Sequence, residues 1–305
     1  MKKSAAKKLS KIIVISGPTA SGKSSVAIKL AQKFNGEIIS ADSRQIYTGL
    51  EIGSGRTTVE EEKIVPHHLL GIVSPEADFS VVKFKKAAEE KIREISKRNR
   101  LPIICGGTGF WIEALVSDVA YPEVKPDWAL RNKLRNKSLE ELLTRLEKLD
   151  PVRAKTVDTK NKVRLIRAIE ICQTLGRVPE NKIKENDKYD FLQIGIARKK
   201  EELHQRIKLN IRKRLQAGMI AEVKKLKESG LSWGKIESFG LSFKLIPQFL
   251  RGEIKNEEEL TEKIYLAEKN YAKRQITWFK RNKKIKWLTD YKEIELSIKN
   301  FLQTR

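Results

Sequence analysis

The chain has 305 residues, 40% of them hydrophobic, enough for one large core or a core with a smaller satellite, which excludes disorder throughout. Its 63 Lys and Arg against 39 Asp and Glu leave a formal charge of +24, which points to a polyanionic partner, nucleic acid ahead of an anionic membrane. Two cysteines, Cys105 and Cys172, exclude a disulfide framework and a thiolate metal cluster and fit a reducing cytoplasm.

Met1-Lys2-Lys3 has the charge of a signal-peptide opening, but the apolar run behind it is only Ile12 to Ile15. Neither a secretion signal nor a membrane span of roughly 20 apolar residues is expected. Ile12-Ile13-Val14-Ile15 is β-branched and bounded by turn residues, which predicts a strand buried on both faces. Val26, Ala27, Leu30, Ala31 and Phe34 then recur at helical spacing from Lys23, and Glu37 to Ser40 reads as a second strand. Val81 to Arg98 is again helical, and Leu101 to Cys105 reads as a third buried strand ending in Gly106-Gly107. Alternating strands and helices predict an α/β fold with a doubly wound parallel sheet flanked by helices.

Past Val116 the texture changes. Asp118 to Asp127 holds two prolines, and the charged helical patterns that follow predict a small inserted helical domain over 118–190, leaving 1–117 and 191–305 as the core. Leu192 to Ile196 returns as a strand, and helices are expected over Glu201–Leu215 and Glu257–Arg281.

Gly17, Pro18, Thr19, Ala20, Ser21, Gly22, Lys23 and Ser24 match G-x-x-x-x-G-K-[ST], directly after a strand and opening a helix. Backbone N–H groups at such a turn form an anion nest, Lys23 brings a point charge to phosphates, and the Ser24 hydroxyl can ligate a bridging Mg²⁺. The loop alone does not say which bond breaks. Nucleotide hydrolases usually carry an acid at a second strand end, whereas the third strand here ends in Cys105-Gly106-Gly107-Thr108. The nearest strand-end acid is Asp42, a base or polar clamp for a second substrate, or else a turn cap with Ser43.

Gly17 to Ser24, Ser40-Ala41-Asp42-Ser43-Arg44-Gln45-Ile46-Tyr47, Pro66-His67-His68-Leu69, Asp78-Phe79-Ser80-Val81, Gly106-Gly107-Thr108-Gly109, Arg164-Leu165-Ile166-Arg167-Ala168, His204-Gln205-Arg206-Ile207 and Ala272-Lys273-Arg274-Gln275-Ile276-Thr277-Trp278 follow one another along most of the chain. In order and spacing they resemble the tRNA dimethylallyltransferases. The resemblance implies a P-loop NTPase-like core, a monomer, and a channel that takes dimethylallyl pyrophosphate from one side and a flipped-out adenosine of the tRNA anticodon stem-loop from the other. It implies catalytic roles for Asp42 as general base and for Lys23, Thr108 and Arg206 near the diphosphate. It also implies tRNA contacts at Asp42, Ser43, Arg44, Gln45, Arg164, Arg167, Lys244, Lys273 and Arg274. The chain departs from the common pattern at Arg56-Thr57, Gly71, Asn210 and Gly240-Leu241-Ser242, with Lys244 offering the cation displaced from the last of these. Eukaryotic members add a C-terminal zinc finger; with no His or Cys after His204, none is expected here.

Between Lys269 and Trp287 stand eight basic residues, no acid, and Tyr271, Trp278, Phe279 and Trp287. Cations interleaved with aromatic faces suit an RNA surface, with Trp278 and Phe279 expected to pack inward and Lys273, Arg274, Lys280, Arg281, Lys283 and Lys284 outward. Two other readings share the phosphate loop. A small-molecule kinase leaves the charge and the missing strand-end acid unexplained, and an RNA-binding ATPase switch leaves Asp42 without work.

Overall fold

The computed structural model describes residues 9–117, 119, 121–180 and 186–304. The opening Met1-Lys2-Lys3 and the positions 118 and 181–185 at the edges of the expected insert lie outside the described residues. Six strands form one sheet: β1 (Ser10–Ser16), β2 (Gly36–Ser40), β3 (His67–His68), β4 (Leu101–Gly106), β5 (Tyr189–Ile196) and β6 (Lys286–Leu288). Their order is β3-β2-β4-β1-β5-β6 and every neighbouring pair is parallel.

Alternation along β1 explains why the sheet is wound on both faces. Ile12 and Val14 join a core with Phe84, Ala88, Ile92 and Ile95 of the Val81–Lys97 helix. Ile13 and Ile15 join another with Ala27, Leu30 and Ala31 of the Lys23–Lys33 helix and Ile294 and Ile298 of the Tyr291–Gln303 helix. Burying each such isoleucine stabilises the fold by about 1.5–3 kcal/mol, which is why the four-residue run of β1 reads so clearly in the sequence. β3 and β6 have two and three residues and no usable alternation; they are edge strands that only the neighbouring β2 and β5 define.

Register decides what meets at the carboxyl edge. Ser16 of β1 pairs with Gly106 of β4 on one side and Gly195 of β5 on the other, and Ser40 of β2 pairs with Cys105. The segments after β2, β4, β1 and β5 therefore emerge side by side, the position where open parallel sheets hold ligands.

The other end of β2 carries a buried acid. Glu37 is 3% exposed and meets Arg98 at 2.7 Å, His68 at 2.6 Å and Arg100 at 3.5 Å. Burial works against its charge, but the bonds from Arg98 and His68 outweigh it and hold the carboxyl below its ordinary 4.5. Glu37→Gln is expected to cost about 1–3 kcal/mol of stability at neutral pH. Since the folded pKa is the lower one, the contribution is complete above 4.5 and is lost as pH falls through the folded value. Denaturant midpoints of wild type and variant should therefore converge on acidification.

Two compact units make up the chain, Met1–Ser117 with Glu185–Arg305, and Asp118–Lys184. The second has its own core of Leu134, Leu142, Leu146, Leu165, Ile169 and Cys172 on short capped helices. The core resumes earlier than the expected 191, because β5 begins at Tyr189, which pairs with Ser10 and is buried against the main core. No helix among the described residues is long and apolar enough to cross a membrane.

Candidate active site

β1 runs into the Gly17–Ser24 loop, and the Lys23–Lys33 helix starts as the loop ends. Gly22 is its N-cap at φ +88°, a left-handed conformation that glycine adopts without a Cβ penalty. No side chain caps this end, so its first N–H groups are available to an anion, which the helix dipole also favours. Lys23 Nζ folds over the loop and donates to the Pro18 carbonyl at 3.3 Å. Arg206 Nε donates to the Ala20 carbonyl at 2.9 Å, and Arg198 Nε to the Ser21 carbonyl at 3.0 Å.

Beside the loop stand the ends of β2 and β4. A Cβ on Gly106 would lie 2.2 Å from the Ala41 carbonyl oxygen, so only glycine lets the two segments approach this closely. Thr108 ties them together: its N–H donates to the Ala41 carbonyl at 3.1 Å, and its Oγ1 accepts from the Ser43 N–H at 2.9 Å. Asp42 Oδ1 accepts the Arg44 N–H at 3.1 Å, as a turn cap would, while Oδ2 lies 3.6 Å from where a Gly107 Cβ would stand. The Oδ1 contact is the one the turn reading of Asp42 expects.

Gln275 joins the halves. Buried on the Glu257–Phe279 helix, it accepts the Thr19 N–H at 2.8 Å and donates to the Gly107 carbonyl at 2.8 Å, latching the phosphate loop to the loop beside Asp42. In the sequence Gln275 is one letter of the Lys273-Arg274-Gln275 segment. Only the helix packing reveals that both ends of its amide are used.

Cys105 lies at the meeting point. Burial pushes its thiol up to about 11, against the opposing charge of Lys23 and a hydrogen bond with Ser24. It is a packed neutral group and no nucleophile at neutral pH. Ser24, in the first turn of the helix, carries a hydroxyl of the oxygen-donor kind that Mg²⁺ takes beside its waters and substrate phosphates. Among the described residues no cluster of three or more His, Cys, Asp or Glu offers an independent metal cage.

The residues expected to meet RNA divide. Arg44 Nε donates to the Phe239 carbonyl at 2.6 Å and its guanidinium lies 5.1 Å from the Tyr271 ring centroid, with Arg274 at 5.7 Å from the same ring. Burial and the Asp42 charge raise the Tyr271 pKa, so the phenol stays protonated. Gln45 bridges the Ser40 hydroxyl and the Gly55 carbonyl, and Ser43 is engaged by Thr108, so these side chains brace the segment after β2. Lys273 and Arg274 are exposed, as are Lys280, Arg281, Lys283 and Lys284, while Phe279 is buried and Trp278 half-buried. Trp287 is no free stacking face; it packs over Gly195. Lys244 is exposed on the Ser242–Leu250 helix, whose N-cap Leu241 holds φ +49°. In the other unit, Arg164 pairs with Asp158 on the surface. Arg167 is bound to the buried Glu170 and the Val124 carbonyl, a contact that holds that unit together.

The IPP transferase family matches residues 45–282. The tRNA dimethylallyltransferase of Acetivibrio thermocellus is 38% identical over 95% of each chain. The tRNA isopentenylpyrophosphate transferase of Bacillus halodurans superimposes with a TM-score of 0.70 at 32% identity, covering 96% of this chain and 95% of that one. A eukaryotic dimethylallyltransferase captured acting on tRNA gives 0.78 at 26% identity, over 96% of this chain and 77% of its own. A glycine loop latched to the loop beside Asp42, on a chain this similar to these proteins along nearly its whole length, identifies the chain as a member of the IPP transferase family.

Proposed function

We propose that this chain transfers a dimethylallyl group from dimethylallyl pyrophosphate to the exocyclic N6 of the adenosine 3′-adjacent to a tRNA anticodon, releasing pyrophosphate. The observation that carries the reading is the Gln275 latch, which brings an anion-binding loop and the Asp42 carboxylate to one edge of the sheet. A small-molecule kinase is disfavoured because β4 ends in Cys105-Gly106 without an acid.

In this reading the loop amides, Lys23 and Arg206 receive the diphosphate and stabilise the charge that develops as the allylic C–O bond breaks. Ser24 would hold a Mg²⁺ ion, which would supply neutralising charge beside the diphosphate. Asp42 orients the exocyclic amine and takes one of its protons as the new N–C bond forms; the Thr108 hydroxyl fixes the segment that carries Asp42. Tyr271, between two arginines, borders the Asp42 side as a neutral aromatic surface for a base. The chain acts as a cytoplasmic monomer in this reading, consistent with two buried free thiols. The test is mass analysis of tRNA incubated with the protein, magnesium and dimethylallyl pyrophosphate. One added C5H8 unit on an anticodon-loop adenosine is expected; modified tRNA only with a nucleoside triphosphate would overturn the reading.

The exposed Lys273 and Arg274 face is the RNA-docking surface. Each phosphate neutralised contributes about 0.9 to the log-log salt slope for a duplex and about 0.7 for a single strand. Charge reversal at Lys273 and Arg274 should lower that slope by about 2 while leaving pyrophosphate affinity intact. An unchanged slope would put docking elsewhere.

A further inference from the structure

We propose that Arg198 is a second arginine of the diphosphate site, working beside Arg206. The inference rests on the diphosphate reading of the phosphate loop given above. Its first support is the sheet register. Gly195 pairs with Ser16, the residue before the loop, so the chain leaving β5 runs alongside the loop as it forms, and Arg198 is three residues further on. Side-chain geometry supplies the second. Arg198 Nε donates to the Ser21 carbonyl at 3.0 Å and Arg206 Nε to the Ala20 carbonyl at 2.9 Å, so two guanidinium groups grip consecutive peptides of one turn.

Both arginines also reach the head of the Lys23–Lys33 helix. Their Nη2 atoms lie 3.7 Å (Arg198) and 3.2 Å (Arg206) from the point a Cβ on Gly22 would occupy. Glu202 holds them as a pair, with Oε1 3.3 Å from Arg198 Nη1 and 3.8 Å from Arg206 Nη1. The Arg198 side chain is only 26% exposed, which keeps its charge from being fully screened by water.

Two consequences follow for a bound diphosphate. In a trans peptide the C=O and N–H point in opposite directions, so the bond that fixes the Ser21 carbonyl on Arg198 also fixes the Gly22 N–H on the opposite side of that peptide. The second guanidinium adds positive charge beside the helix N-terminus, with N–H donors left over after its contacts with Ser21 and Glu202.

The experiment is calorimetric titration of inorganic pyrophosphate with magnesium into the full chain, comparing wild type, Arg198→Ala, Arg198→Lys and Arg206→Ala. Losing one charge-assisted contact should weaken pyrophosphate binding about 10- to 100-fold in Arg198→Ala. Arg198→Lys should recover part of it, since the charge stays while the fork is lost. The KM for dimethylallyl pyrophosphate should rise in step, with tRNA affinity unchanged. Pyrophosphate binding by Arg198→Ala within about twofold of wild type would overturn the proposal, as would a lowered melting temperature with unaltered affinity in both variants. Wild-type protein that binds pyrophosphate but leaves tRNA unmodified overturns the prenyl-transfer reading instead, so the two failures are distinguishable.

Discussion

Lys23→Ala is expected to reduce prenyl transfer by about 10²- to 10³-fold or more, the range seen when a preorganised group at a site of developing charge is removed. The leaving diphosphate gains charge on its bridging oxygen as the allylic bond breaks, and a methyl group cannot offset it. Loop geometry should survive, because Lys23 contributes one 3.3 Å bond to the Pro18 carbonyl while Gln275, Arg198 and Arg206 hold the loop independently. The loss should therefore appear in kcat with dimethylallyl pyrophosphate saturating, and tRNA affinity should move little. Turnover retained within about threefold of wild type would remove Lys23 from the leaving-group site.

Asp42→Asn should slow the chemical step by about 10²- to 10⁴-fold, the usual range for a lost general base. An adenine amine is a weak nucleophile because its lone pair is delocalised into the ring, so attack needs a partner that orients the N–H and accepts the proton. The amide keeps an acceptor for the Arg44 N–H, the bond that Oδ1 makes in the turn, so the segment between β2 and Thr108 should stay folded. What is lost is basicity at the position of Oδ2. Single-turnover rates with both substrates saturating isolate this step. Near wild-type transfer would reduce Asp42 to the turn cap that its Oδ1 contact already describes.

Glu37 and Asp42 bracket the same strand and show how differently two acids read. Both are single acids near a β-branched run. One is a buried ion-pair hub at the amino end of β2, and the other is a half-buried group just past its carboxyl end. Their distance from the glycine loop in the sequence does not distinguish them; their end of the strand does.

The core strands, the phosphate loop and the helices that cover the sheet were legible from the sequence, because β1, β2, β4 and β5 alternate residues between two apolar cores and the loop has obligatory spacing. So was the family, through segments whose order is itself informative. The sequence could not show β3 and β6, which exist only as edges paired to longer neighbours, nor that β5 opens at Tyr189. Nor could it separate Arg167, bound to a buried carboxylate, from exposed Lys273 and Arg274, since all three are cations in helical patterns. Gln275 and Arg198 were hidden for a related reason. Each lies far along the chain from the loop it holds, and neither has a local pattern that marks it. Local spacing is enough to specify an anion-binding turn, but which side chains reach that turn is decided by strand register and helix packing, and those come into being only when the sheet closes.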